Sequence, residues 1–269
     1  AQQTSLPTDG LAVIALGKLG GGELNYSSDI DLTLIAADDP SNRQRLAAQM
    51  IDALTRATAE GFLYRVDMRL RPWGSAGPLV VSIDGHLSYL QRHARLWEKQ
   101  AFLKARVAAG DESVGRAFLD RAAPLLFGSD PEAVRADVLD MKRRIEAELR
   151  RRGREWGEVK LGVGSIRDVE FVTQYLQLIH GAERPELRCA NTLEALTRLY
   201  TTGLLPVRDY RILADGYTFL RPVEHYLQLM AFQQTHSLPE APGEIAYLAR
   251  RLGFQGEGAG AEFLAHYEQ

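Results

Sequence analysis

Two aspartates one residue apart, Asp29 and Asp31, close a glycine-rich stretch that reads GKLGGGELNYSSDIDLTL from Gly17 to Leu34. Residues i and i+2 of a strand point to the same face, so this pair presents two carboxylates side by side. Carboxylates that close repel each other unless a proton or a cation joins them. Hard oxygen donors suit Mg²⁺, which commonly brings a substrate's phosphates with it. The glycines let backbone N–H groups approach an anion closely. A DxD alone is common at solvated strand ends, and a lone glycine-rich turn is equally unspecific. Their conjunction points to a site for a nucleoside di- or triphosphate.

The elements around this stretch must position it. The apolar run LAVIAL predicts a strand over 11 to 17, and the residues from Ile30 predict a second over 30 to 36. A helix from about 41 to 60 follows, with Leu46, Met50, Ile51 and Leu54 at helical spacing and Gly61 as its stop. FLYRVDMRLRP, from Phe62 to Pro72, alternates with a period of two and predicts a strand. Its polar face carries Asp67 as a third carboxylate among Arg65, Arg69 and Arg71. A third acid completes the metal coordination in a two-metal phosphoryl transfer, and the arginines can neutralise phosphate charge. Taken alone, the segment reads better as an exposed salt-bridge ladder; the Asp-Ile-Asp stretch upstream turns the reading toward a site. Pro78 to Ser82 predicts a returning strand.

From Ser82 onward the pattern is helical, with helices expected at about 83–93, 96–106, 112–126, 131–153, 166–181, 191–201, 206–233, 243–252 and 258–268. Asp84 and Asp111 are expected as N-caps or first-turn acids. On WEKQAFLKAR, Glu98 could orient an arginine, and Lys104 or Arg106 could reach phosphate. Met141 to Arg154 holds seven basic and two acidic residues, a docking face for an acidic partner or a solvated helix face. In VKLGVGSIRDVEFVTQYLQLIHG, Ser165 can cap a helix whose first turns hold Arg167, Asp168 and Glu170. The six histidines show no metal-ligand spacing.

Composition bounds the function classes. The 269 residues allow one large or two ordinary domains, and 45% hydrophobic with 25% charged residues is ordinary for a soluble globular protein. A net charge of -3 gives no global attraction to nucleic acid. Cys189 is the only cysteine, so no internal disulfide is possible and a reducing cytoplasm is expected. No apolar stretch reaches the length of a membrane span. Residues 1 to 10 read as a polar tail or linker. The chain opens on Ala near a strand and stops inside a helical pattern, as a segment of a longer protein would.

The Gly17-Lys18 start, about ten residues, then Asp-Ile-Asp resembles the polymerase-beta-like nucleotidyltransferase superfamily, with Lys18 standing where Ser or Gly is usual. GKLGGGELNYSSDIDL, YRVDMRLRPWGSAGPLV, WEKQAFLKAR and KLGVGSIRDVEFVTQYLQL, in that order, resemble the glutamine synthetase (glutamate-ammonia ligase) adenylyltransferase family. The resemblance runs from about residue 11 to 205. It implies one unit of a bifunctional, multi-domain protein. In that family a C-terminal unit adds AMP from ATP to a tyrosine of glutamine synthetase, and an N-terminal unit removes it by phosphorolysis, giving ADP. The PII signal protein and glutamine set the balance. Met68 in RVDMRLRP, the following PWGSAGPLV and the KLG ahead of GVGSIRDVEF are closer to the N-terminal, deadenylylating unit.

The fold this implies is α+β. A small mixed sheet with flanking helices, the nucleotidyltransferase domain, is expected over 1–127, and an all-helical domain over 128–269. The resemblance implies that Asp29, Asp31 and Asp67 hold Mg²⁺ and catalyse an in-line displacement at the AMP phosphorus. Gly17, Lys18, Gly20, Gly21 and Ser28 would hold phosphates, with Arg69, Arg71 and Lys104 nearby. Three alternatives stay open: the ATP-dependent adenylylating direction, a non-catalytic nucleotide-binding regulatory module, and nucleotidyl transfer to a small molecule or RNA. The intact carboxylates argue against the second, and the helical tail and acidic net charge fit a protein partner better than RNA.

Overall fold

The computed structural model describes residues 9–231 and 233–269. Most of the tail read over residues 1 to 10 lies outside them, as does Phe232 in the helix expected over 206 to 233.

Strand β1, Leu11–Leu16, leads into a four-residue helical turn, α1, Gly17–Gly20, and β2 follows at Ile30–Ala36. A 3-10 turn at Ser41–Arg43 opens α2, Gln44–Thr55. Then come β3, Val66–Asp67, and β4, Val80–Ser82, with α3, Ile83–Arg92, and α4, Leu96–Phe102. Strand β5, Arg106–Gly110, and α5, Glu112–Leu126, complete this part. The sheet runs β3-β2-β1-β5, with β4 also pairing β2. Strand β1 is antiparallel to β2 and β5, whereas β3 and β4 are parallel to β2.

Strand β1 reads as an unbroken apolar run because both of its faces are covered. Ala12, Ile14 and Leu16 pack with Leu87 of α3, Phe102 of α4 and Phe118 of α5. Leu11, Val13 and Ala15 pack on the other face with Ile30, Leu32 and Leu34 and with Ala47 of α2. The helical-spaced Leu46, Met50, Ile51 and Leu54 lie against that second face. Asp31, one residue out of phase with Ile30 and Leu32, therefore belongs to the opposite side of β2.

Three local expectations are corrected. The helix over 41 to 60 ends at Thr55, because Arg56 is extended and the Thr58 amide and hydroxyl both close onto the Gly61 carbonyl at 2.7 and 2.8 Å. The strand over 62 to 72 shrinks to Val66–Asp67. Phe62 and Leu63 lie open to solvent, and beyond Asp67 the chain curls under side-chain hydrogen bonds described below. The wholly helical reading after Ser82 misses β5, which ends the 96–106 helix at Phe102. The expectation for Asp84 and Asp111 holds: Asp111 is the N-cap of α5, accepting from the Ser113 and Val114 amides, and Asp84 is the first-turn acid of α3, which Ser82 caps.

The remaining helices follow the sequence pattern closely: α6, Pro131–Arg151; α7, Ile166–His180; α8, Thr192–Thr201; α9, Val207–Ala231; α10, Pro242–Arg251; and α11, Ala259–Tyr267. The chain divides into two compact units. The first holds the described residues up to Leu24, Ser28–Val134 and Gln174–Arg198. Its last segment is tied in where the Gly128 amide donates to the Leu178 carbonyl at 2.7 Å. The second holds Asn25–Ser27, Arg135–Thr173 and Leu199–Gln269. Its interior includes fully buried Glu224, which accepts from Asn25 at 2.9 Å and pairs with Arg221 and His236. Among the described residues no helix is long and apolar enough to cross a membrane.

Candidate active site

Asp31 faces two residues that define its surroundings. Across the antiparallel ladder it is level with Leu16, the last residue of β1, and across the parallel ladder it is level with Asp67 of β3. Neighbouring strands lie about 4.8 Å apart, so Asp31 and Asp67 are rooted side by side. The chain leaves β1 at Gly17 with φ +52°, a left-handed conformation. A Cβ at Gly17 would collide with Oδ2 of Asp31. The missing side chain is the space the carboxylate occupies. At Gly20 a Cβ would collide with the Lys104 carbonyl and stand 2.8 Å from that of Ala15. The turn is held by its own amides: Gly21 donates to the Gly17 carbonyl, Gly22 to Leu19 and Glu23 to Lys18, at 3.1, 3.3 and 2.8 Å. Lys18 lies inside this turn and Ser28 immediately before Asp29, both half-buried.

Arginines partner the two outer carboxylates. Arg65 donates through Nε to Oδ1 of Asp29 at 2.6 Å. Arg69 grips Asp67 with Nε at 2.9 Å and Nη2 at 2.5 Å on Oδ2, and its backbone amide reaches Oδ1 at 2.8 Å. The Arg69 side-chain hydrogen bond is the largest influence holding the Asp67 carboxyl below its ordinary range, and burial opposes it. Among the described residues, no three His, Cys, Asp or Glu side chains stand close enough as placed to hold a metal ion. The donor set nevertheless fits Mg²⁺ by its chemistry, since it is all carboxylate oxygen on adjacent strands. The guanidiniums of Arg65 and Arg69 supply the neutralising charge that such a cluster requires.

Other residues expected at phosphate are engaged elsewhere. Arg71, 9% exposed, donates to the carbonyls of Met68, Ser75 and Gly77 at 2.7, 3.2 and 3.1 Å, so it braces the loop after β3. Lys104, 7% exposed, places Nζ 2.7 Å from Oε2 of Glu23 and 3.0 Å from the Thr192 hydroxyl. Arg106 reaches the Leu19 and Gly20 carbonyls at 2.9 and 3.2 Å and so supports the turn from behind. Among the described residues Glu98 accepts from the Tyr89 hydroxyl at 2.6 Å and the Arg95 amide at 2.9 Å, capping α4 rather than orienting an arginine guanidinium.

The basic run on α6 is largely answered by its neighbours. Lys142 pairs with Asp168 at 2.6 Å, Arg144 with Asp140 at 2.6 Å, and Arg151 and Arg152 with Glu148 at 2.8 and 2.6 Å. The Ser165 hydroxyl, just ahead of α7, donates to the Lys160 carbonyl at 2.8 Å. Sequence reasoning missed Glu23, Asn191 and Thr192. Their partners lie 81 to 170 residues away, and no short motif signals such pairings.

A small mixed sheet that roots carboxylates level on adjacent strands, beside a glycine turn cut to fit one of them, is the arrangement that the resemblance to nucleotidyltransferases implies. Comparison with known proteins makes the class particular. Residues 1–121 match the family model described as glutamate-ammonia ligase adenylyltransferase (GlnE), and residues 139–269 match that of GlnD PII-uridylyltransferase. The chain is 41% identical over 268 residues to a bifunctional glutamine synthetase adenylyltransferase/adenylyl-removing enzyme of Streptomyces avermitilis, covering 95% of this chain and 27% of that protein. It is 41% identical to the Xanthomonas axonopodis pv. citri enzyme of the same name, covering 91% and 27%, and to that of Mycobacterium avium, covering 92% and 24%. The chain thus spans about a quarter of the length of these relatives. Three of the four motifs that carry the resemblance, GKLGGGELNYSSDIDL, YRVDMRLRPWGSAGPLV and WEKQAFLKAR, fall within the residues that match the glutamate-ammonia ligase adenylyltransferase model.

Proposed function

We propose that this chain is a metal-dependent nucleotidyltransferase unit that acts on a tyrosine of glutamine synthetase, and that it runs in the phosphorolytic direction, removing AMP as ADP. The observation that carries the chemistry is the level placement of Asp31 and Asp67 with the carboxylate-shaped gap at Gly17. The substrate follows from the names of the relatives. The direction is supported by Met68 and PWGSAGPLV after β3 and by KLGVGSIRDVEF before α7, which resemble the deadenylylating unit.

Asp29, Asp31 and Asp67 would hold Mg²⁺, which when bound supplies charge neutralisation at the phosphoryl oxygens. The chain's own residues do the rest. The turn from Gly17 to Gly21, with Lys18 and Ser28, orients the nucleotide phosphates. Arg69, whose side chain is 80% exposed, is placed to exchange its carboxylate for a phosphate oxygen. An oxygen of inorganic phosphate forms the new bond to the AMP phosphorus as the bond to the tyrosine oxygen breaks. The phenolate leaves with that electron pair and takes up the proton carried by the attacking phosphate. Phosphate is already anionic at neutral pH, so the step requires no strong general base. PII signal protein and glutamine would act through the longer protein, in the cytoplasm.

The test incubates AMP-modified glutamine synthetase with the chain, Mg²⁺ and phosphate, and follows ADP. Unmodified glutamine synthetase with ATP runs alongside. Phosphate-dependent ADP release without AMP incorporation is the expected result. AMP incorporation would reverse the direction, and inactivity of a folded chain in both arms would count against the catalytic reading.

A further inference from the structure

Behind the glycine turn lies a buried polar cluster that no step of the chemistry uses. Glu23, two residues past Gly21, accepts from Lys104 Nζ at 2.7 Å through Oε2 and from the Thr192 amide at 2.8 Å through Oε1. The Thr192 hydroxyl completes the group, 3.0 Å from Lys104 Nζ and 3.3 Å from Glu23 Oε2. Beside it, the Asn191 side chain donates to the Gly21 carbonyl at 3.1 Å while its own Oδ1 caps α8 through the Glu194 amide, also at 3.1 Å. The Glu23 and Lys104 side chains are only 7% and 8% exposed. A charge pair this deep is retained only with further hydrogen bonds around it, and Thr192 supplies them. A Cβ on Gly21 would stand 3.0 Å from the Ala190 carbonyl, so the two backbones touch here.

We infer that Glu23, Lys104, Asn191 and Thr192 form a rear clamp that sets the glycine turn against Asp31, which makes the start of α8 part of the nucleotidyl-transfer machinery as positioning residues. Asn191 and Thr192 lie outside the 1–121 family match yet inside the compact unit that holds the sheet. The consequence for catalysis rests on the proposed function; the clamp itself does not.

The experiment is amide hydrogen exchange on the full chain, comparing wild type with Asn191→Ala and with the paired variant Glu23→Gln/Lys104→Met, which leaves no orphaned buried charge. The Gly21, Gly22 and Glu23 amides are bonded within the turn and report its opening. Loss of one supporting hydrogen bond should speed their exchange by up to about tenfold, with exchange on β1 and β2 unchanged. KM for phosphate should rise by a similar factor, whereas a loss of folded fraction alone would lower apparent kcat and leave KM unmoved. Unchanged turn exchange in both folded variants would overturn the clamp. Faster turn exchange in a chain that releases no ADP would uphold the clamp and refute the functional reading instead.

Discussion

Replacing Gly17 with Ala tests the geometry of the site at one atom. Gly17 holds φ +52°, and the added Cβ would fall on Oδ2 of Asp31. Gly22, five residues on, holds φ +69° but has nothing within 4 Å of the place a Cβ would take. Ala in the left-handed region costs about 1–2 kcal/mol at either position, and each such kcal/mol lowers Tm by roughly 2–4 °C in a domain of this size. Only Gly17→Ala also displaces a carboxylate of the site. A shift of about 1 Å in a catalytic group costs on the order of 100-fold. Phosphate-dependent ADP release, assayed well below the melting temperature, should therefore fall about 100-fold in Gly17→Ala and stay close to wild type in Gly22→Ala. Mn²⁺ titration should show weaker binding in the first variant alone. Equal activity in the two variants, with equal Tm losses, would refute the placement of Asp31 against Gly17.

Asp31→Asn and Asp67→Asn should each abolish activity with an unchanged circular dichroism spectrum, and near wild-type turnover would remove that residue from the site. Arg69→Gln should raise the Asp67 carboxyl toward its ordinary value, read by NMR titration. Because the folded value is depressed, the stabilisation from this pair is present above the ordinary carboxylate range and is lost as pH falls through the folded value. His86 is fully buried against Phe102 and Phe118, and burial pushes its imidazole down to about 3. The unfolded chain takes a proton below its ordinary value of about 6.5 while the folded chain does not. Urea unfolding should therefore give about 2 kcal/mol less stability at pH 5 than at pH 7.5 from this group. In His86→Leu that part of the difference should vanish.

Much of this arrangement was legible because burial writes a period into the chain. Strand β2 reads as Ile30–Ala36 from its apolar alternation, and most helices from α5 onward fall within two residues of their expected ends. Asp31 and Asp67 were legible as acids at strand positions, but their shared level across β2 and β3 is a matter of register, which no local pattern states. Strand β5 was hidden because RVAAG is largely exposed, rich in the weak strand former Ala, and paired on one side only, to β1. The alternation from Phe62 to Pro72 was real yet formed two paired residues. The Arg71 guanidinium and the Asp67 carboxylate supply hydrogen bonds that curl the chain beyond β3. The pairing of Lys104 with Glu23 spans 81 residues, a distance across which no local pattern speaks.

The most direct test of the central claim labels the AMP phosphorus on the tyrosine of glutamine synthetase and asks where the label goes. With the chain, Mg²⁺ and phosphate, it should appear in ADP, and Asp31→Asn should leave it on the protein. Label released as free AMP, or released equally by Asp31→Asn, would contradict a phosphorolytic site built on these carboxylates.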